Sequence, residues 1–173
     1  FPIAPRRRRL GVPERVDHRG EVLTPLDEEA ARGAIRKLKE QGVEAIAVCF
    51  LHSYAFPEHE RLAGRAIKKA FPKLAVTLSH QVTQEYREYE RAVTTLVDAF
   101  VKPHMDRYLQ RIHDELGPGL REKPFLVMQS SGGVMSSAQV VNKPITTALS
   151  GPAAGALGSA VIVVDYIRKD PFE

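Results

Sequence analysis

Four short stretches of this chain place reactive or ligand-binding residue types close together. In QSSGGVMS, residues 129–136, Gly132 and Gly133 follow a predicted strand. Paired glycines at the carboxyl end of a strand let a phosphate or carboxylate reach backbone N–H groups, which makes these two candidate cofactor-binding residues. Their spacing fits neither G-x-G-x-x-G nor the P-loop, so a plain turn into the next helix stands as the other reading. His52, followed by Ser53 and Tyr54, closes another predicted strand and is a candidate general base, against the ordinary alternative of a satisfied loop histidine. REYER, residues 87–91, sets Arg87 against Glu90 and Glu88 against Arg91 at i, i+3. Such pairs are usually surface decoration worth ~0.2–0.5 kcal/mol. The turn nevertheless falls on the same predicted rim as His52, which makes Arg87 and Glu90 catalytic candidates as well. SGPAAGALGSA, residues 150–160, puts Gly151, Gly155 and Gly158 on one helical stripe, at a cost of roughly 1 kcal/mol per glycine relative to alanine.

Other reactive types carry less. The six histidines show no metal-ligand spacing, and His59-Glu60 lacks a second histidine at the H-E-x-x-H distance, so no metal site is expected. Cys49 lies within an apolar run, where a free cysteine behaves as a small hydrophobe.

The elements that must position these residues alternate. Residues 1–26, with four prolines, read as an N-terminal arm whose ERV-DHRG-EVLTPL segment forms two short strands around a turn ending in Gly20. Thr24-Pro25-Leu26-Asp27 offers a helix cap at Thr24, and the helix runs to about Gln41 with Gly42 as its stop. VEAIAVCFL at 43–51 reads as a central parallel strand covered on both faces. A helix at about 58–70, a strand at 74–79 and a helix from about Gln84 follow, the last with Tyr89, Val93, Leu96, Val97 and Phe100 on its inward side and a break or kink at Pro103. An amphipathic pattern continues to Gly117, a third strand occupies 124–129, and the pattern predicts an α/β layer structure.

The formal net charge of +4 has a local origin. Residues 6–9 supply four of the 25 Lys and Arg, and the other 21 match the 21 Asp and Glu. With no Trp and little aromatic interleaving beside that run, nucleic acid is not an expected partner, and a solvated arm or interdomain contact explains the patch. The apolar run at 153–164 contains Gly and Ser and is shorter than the ~20 residues that span a bilayer, so no membrane association is expected. One cysteine cannot form an internal disulfide, which points to a cytoplasmic compartment.

PERVDHRGEVLTPLDE, GVEAIAVCFLHSYAFPEHE, QEYREYERAVTTLVDAFVKP, LVMQSSGGVMS and SGPAAGALGSA, in this order, resemble the hydantoinase A/oxoprolinase family over about residues 5–162. The resemblance implies an α/β fold belonging to an actin-like ATPase (ribonuclease H-like) lobe, with a mainly parallel sheet and covering helices. Residues 1–26 would be the arm and hairpin, and 27–173 an α/β domain that is an internal fragment of a larger ATPase subunit. The parent would use ATP and Mg to phosphorylate and open a small cyclic amide such as a hydantoin or 5-oxoproline. Its partners would be the remainder of the same subunit and a hydantoinase B-type subunit or domain. ATP-dependent carboxylation of acetone or acetophenone, as family members perform it, is the alternative within enzymes, and a non-catalytic binding or scaffold module the alternative outside them. In the same resemblance, SGPAAGALGSA is the connecting segment where two lobes meet and shear, and Ser150 and Gly151 fall near the nucleotide γ-phosphate. The family's two Asp-x-Gly-Gly-Thr hairpins are missing from this sequence. The fragment alone is therefore expected to be inactive and not to hold ATP and Mg tightly.

Overall fold

The computed structural model describes residues 3–168 and forms two compact units, Phe1–His104 and Met105–Glu173. In the first unit, β1 (Arg15–Val16) and β2 (Val22–Thr24) make the expected antiparallel hairpin. Gly20 turns it at φ 89°, and a Cβ there would stand 2.6 Å from the Phe56 ring, so the turn needs glycine both for its conformation and for Phe56 to pack on it. Helix α1 (Glu28–Glu40) is capped by Asp27, which accepts a hydrogen bond from the Ala30 N–H, rather than by Thr24. Thr24 is the last residue of β2, so its backbone is committed to the hairpin and the next side-chain acceptor takes the cap. Gly42 follows the helix at φ 69°, as a left-handed stop.

Strands β3 (Ala45–Val48) and β4 (Ala75–Leu78) pair in parallel, Ala45 opposite Ala75 through Val48 opposite Leu78. Their period-two alternation sends Ile46, Val48 and Leu78 to one face, where Ile35 of α1 and Ala63 and Ile67 of α2 (Glu58–Ala70) complete the core. One turn of helix, α3 (Ser79–Val82), leads from β4 towards α4 (Glu88–Glu115), which runs through Pro103 without interruption. The boundary between the two units falls one residue after that proline.

Helix α4 corrects the sequence expectation. Tyr89 and Phe100 are 78% and 57% exposed, while Arg91, Thr95 and Asp98 are fully buried. The inward row at 91, 95, 98 and 102 is polar because it meets polar partners: Asp98 accepts from the Thr77 hydroxyl of β4, and Lys102 donates to the Val76 carbonyl. Burial pushes the Lys102 ammonium below its usual range, and the adjacent Asp98 carboxylate opposes that shift.

In the second unit α5 (Pro118–Arg121) precedes β5 (Leu126–Met128) and β6 (Val134–Ser136), which form an antiparallel hairpin. The expectation of a mainly parallel sheet is corrected here: the described strands form three two-stranded sheets, of which only β3–β4 is parallel. Gln129 to Gly133 is a hairpin turn that returns the chain to β6, not a passage into a crossover helix. α6 (Ser137–Asn142) starts in a capping box between Ser136 and Gln139, and α7 (Ser150–Arg168) closes the described chain. Among the described residues no helix is long and apolar enough to cross a membrane.

Candidate functional site

Because β3 and β4 run parallel and in register, the loops after Val48 and Leu78 leave the sheet at one rim, the place where ligands of open α/β sheets bind. Three residues remote in sequence tie that rim. Glu60, from the first turn of α2, is fully buried and accepts four hydrogen bonds: from Phe50 N–H (2.9 Å), Ser79 Oγ–H (2.6 Å), His80 N–H (3.1 Å) and His80 Nδ1–H (2.7 Å). A carboxylate can only accept, which fixes the His80 tautomer with its proton on Nδ1.

Arg91, also fully buried, spreads its guanidinium over the same loops. Nη2 donates to the Phe50 carbonyl (2.9 Å), Nη1 to the Glu85 and Tyr86 carbonyls (2.8 and 3.3 Å) and Nε to Ser79 Oγ (3.2 Å). Its plane also lies 5.5 Å from the Tyr54 ring centroid. Ser79 thus joins a buried carboxylate to a buried guanidinium, and Ser53 Oγ stands 3.0 Å from it. Burial pushes the nearby Cys49 thiol up, against the opposing influence of Ser79 and Arg91.

The knot is saturated. Four donors occupy the four lone-pair directions of Glu60, and four of the five Arg91 N–H groups are used, so neither group is free to move a substrate proton. Its capacity is positional: it fixes the Phe50 carbonyl and with it the loop carrying His52. His52 adopts φ 58°, outside the usual range of a non-glycine residue, and its buried Nδ1 has no hydrogen-bond partner. Among the described residues the only other such buried side-chain atom is Gln41 Oε1. Strained backbone and an unpaired buried nitrogen thus meet in His52, on the loop that the knot holds.

Arg87 and Glu90 lie on the surface, 3.8 Å apart in an ion pair with each other. Arg87 also stacks on Tyr86, and it is Arg91, one residue beyond Glu90, that reaches the His52 loop. In the second unit the turn at 129–133 is held by the Ser130 N–H and Oγ, both donating to the Thr146 carbonyl. Gly132 (φ 88°) has Leu157 of α7 3.4 Å from where its Cβ would stand, and the Gly133 carbonyl accepts from Gln129 N–H. Ser150 opens α7, directly after Leu149, a second non-glycine residue at positive φ (60°). No atom lies within 4 Å of a Cβ built on Gly151, Gly155 or Gly158. The stripe is therefore open among the described residues, and Gly155→Leu is expected to leave the stability of this 173-residue chain unchanged or raise it by up to about 1 kcal/mol through the lost glycine entropy. In a longer subunit where a helix meets the stripe, the same change should cost about 1–3 kcal/mol by overpacking. Urea unfolding of both proteins reads the difference.

Sequence reasoning missed Glu60, Ser79 and Arg91 as a group, because no linear spacing joins residues brought together only by the parallel register of β3 and β4. The polar row at 91, 95, 98 and 102 was the available signal.

The profile of the hydantoinase/oxoprolinase N-terminal region matches residues 1–71, and that of hydantoinase/oxoprolinase matches residues 91–170. The caprolactamase subunit alpha of Pseudomonas jessenii is 35% identical over 87% of this chain and 22% of its own length. The 5-oxoprolinase of Saccharomyces cerevisiae is 33% identical over 87% of this chain and 11% of its own. A solved nucleotide-free structure of acetone carboxylase superposes with a TM-score of 0.70 at 28% identity, covering 94% of this chain and 23% of that one. The chain thus spans about a fifth of the caprolactamase subunit and a tenth of the yeast enzyme. Matched by both family profiles in order across nearly its whole length, the chain belongs to the hydantoinase/oxoprolinase family.

Proposed function

We propose that this chain is a section of an ATP-dependent enzyme subunit that opens the ring of a small cyclic amide. The observation that carries the reading is its similarity, over 87% of its residues, to relatives named caprolactamase and 5-oxoprolinase. ATP would activate the amide by phosphorylating its oxygen: water then adds to the ring carbon, the C–N bond breaks as the nitrogen takes a proton, and phosphate is released. Within the chain, Glu60 and Arg91 hold the rim, and His52 offers Nδ1 to a proton of the substrate or of the attacking water. A relative named as a subunit supports the further proposal of a partner of the hydantoinase B type, and the single cysteine supports a cytoplasmic compartment. The second reading, ATP-dependent ketone carboxylation, rests on the superposition with acetone carboxylase.

We further propose that the described residues do not by themselves make a nucleotide cradle. No group of three His, Cys, Asp or Glu among the described residues is arranged to hold a metal ion, and the space a ligand would need at Gly132 is bordered by the chain's own Leu157. Mg·ATP is therefore expected to bind this 173-residue chain only weakly, through the basic run at 6–9. That binding should fade with salt, since exposed charges are screened over ~10 Å at 0.1 M ionic strength. Calorimetric titration at two salt concentrations measures this, and salt-insensitive micromolar affinity contradicts it. The function itself is tested by ADP release from the full-length subunit with its partner, offered 5-oxoproline, hydantoins and ketones. Stimulation by the cyclic amides is the expected result, stimulation by ketones alone favours carboxylation, and stimulation by none overturns both.

A further inference from the structure

Glu60 holds His80 by two bonds, from its backbone N–H at 3.1 Å and from Nδ1–H at 2.7 Å, and neither involves the other ring nitrogen. Among the described residues Nε2 has no hydrogen-bond partner, yet it is not one of the buried atoms left without one. It therefore belongs to the 11% of the His80 side chain that meets solvent, while the carboxylate behind the ring is fully buried. Nδ1 carries its proton in both the neutral and the cationic ring, so a proton can come and go at Nε2 without breaking the bonds that tie the rim. A ring oriented by a fixed carboxylate and open at its far nitrogen is built for proton transfer. Its sequence position also brings it to the rim that carries His52. Ser53 and Ser79 meet with their Oγ atoms 3.0 Å apart, and the residue before Ser53 is His52 while the residue after Ser79 is His80. Two histidines from two parallel strand ends thus flank one pair of hydroxyls.

We infer that His80 donates, from Nε2, the proton that the ring nitrogen takes when the C–N bond breaks. This role rests on the cyclic-amide reading above and supplies the second proton transfer that the reaction needs. Addition of water to the phosphorylated amide gives a tetrahedral carbon that bears a hydroxyl, the phosphate and the ring nitrogen. Phosphate leaves such a carbon readily, and its loss regenerates the intact ring with ATP hydrolysed. The nitrogen leaves only with a proton, because its anion is far too basic to be expelled. A proton placed on nitrogen therefore decides between ring opening and futile hydrolysis. As the imidazolium, His80 gives its Nε2 proton to the nitrogen while the C–N electron pair moves there, and the carbonyl re-forms as the hydroxyl proton passes to solvent. The product is the opened chain with a free amine and an acyl phosphate, which a second water hydrolyses to carboxylate and phosphate. His80 is left neutral, with Nδ1–H still on Glu60, and regains its proton from solvent at the exposed Nε2. His52 and His80 then have opposite tasks, one taking the proton of the attacking water and the other giving one to the leaving nitrogen.

The ratio of ADP formed to rings opened, measured on the full-length subunit with its partner and a cyclic amide, reads this role. The native protein is expected to form about one ADP per ring opened. His80→Asn keeps an N–H donor for Glu60 and removes Nε2. Ring opening by this variant should fall by about 10²–10⁴-fold while ADP release falls by less than about tenfold, so the ratio rises well above one. Unfolded molecules contribute to neither rate, so a loss of stability alone does not move the ratio. His80→Gln, which also offers an amide donor, gives the same reading should the asparagine variant fail to fold. A ratio that stays near one, whether both rates persist or fall together, overturns the inference and leaves His80 a structural part of the knot. A native subunit that opens no cyclic amide overturns the cyclic-amide reading and the inference with it. That failure appears before any substitution is made, so the two are distinguishable.

Discussion

Arg91→Ala is expected to destabilise the chain by about 3–5 kcal/mol, the range for removing one partner from a buried charged network. The guanidinium donates to three backbone carbonyls and to Ser79 Oγ from a fully buried position. Truncation leaves the Phe50, Glu85 and Tyr86 carbonyls without that donor, and the buried Glu60 carboxylate without its nearest joined cation. Water cannot repair this cheaply, since Arg91, Glu60, Ser79 and Ser53 are all fully buried. Arg91→Lys keeps the charge but not the planar fork that reaches two loops at once, and should recover less than half of the loss. The urea midpoint reads both variants. A loss under about 1 kcal/mol for Arg91→Ala would mean that the knot contributes no more than an exposed pair does.

What made such a residue hard to see is informative about the sequence. Helices α1 and α2 and the strands they cover were legible because their apolar residues follow a single period and face a single core, Ile35, Ile46, Ala63 and Ile67 among them. Helix α4 carries two competing rows, one polar at 91, 95, 98 and 102 and one apolar at 92, 96, 99 and 103. Apolar periodicity alone then chooses the wrong inward face, because here the inward face must supply donors to strand-end carbonyls and to Thr77. The turn at 129–133 misled for a different reason: Ser-Ser-Gly-Gly between short apolar runs is a hairpin signal, but a strand followed by glycines also opens a crossover. His52 stood out in the sequence only by its place after a strand. Its left-handed backbone did not, since nothing in its neighbours' types demands φ 58°.

That backbone supplies the last expectation, in which stability and activity move apart. Asparagine tolerates the left-handed region better than other non-glycine residues, so His52→Asn should leave the urea midpoint unchanged or raise stability by up to about 1 kcal/mol. It also removes the buried ring nitrogen that has no hydrogen-bond partner. With His52 acting as general base, ADP release by the full-length subunit in the presence of its cyclic amide should fall by about 10²–10⁴-fold. A histidine kept only for packing gives the opposite pair of results, a lower midpoint with turnover intact, and that outcome removes His52 from the chemistry. Arg91→Lys separates position from chemistry in the same assay. Arg91 holds the Phe50 carbonyl two residues before His52, so loosening it should lower kcat and the urea midpoint together, whereas His52→Asn should lower kcat alone.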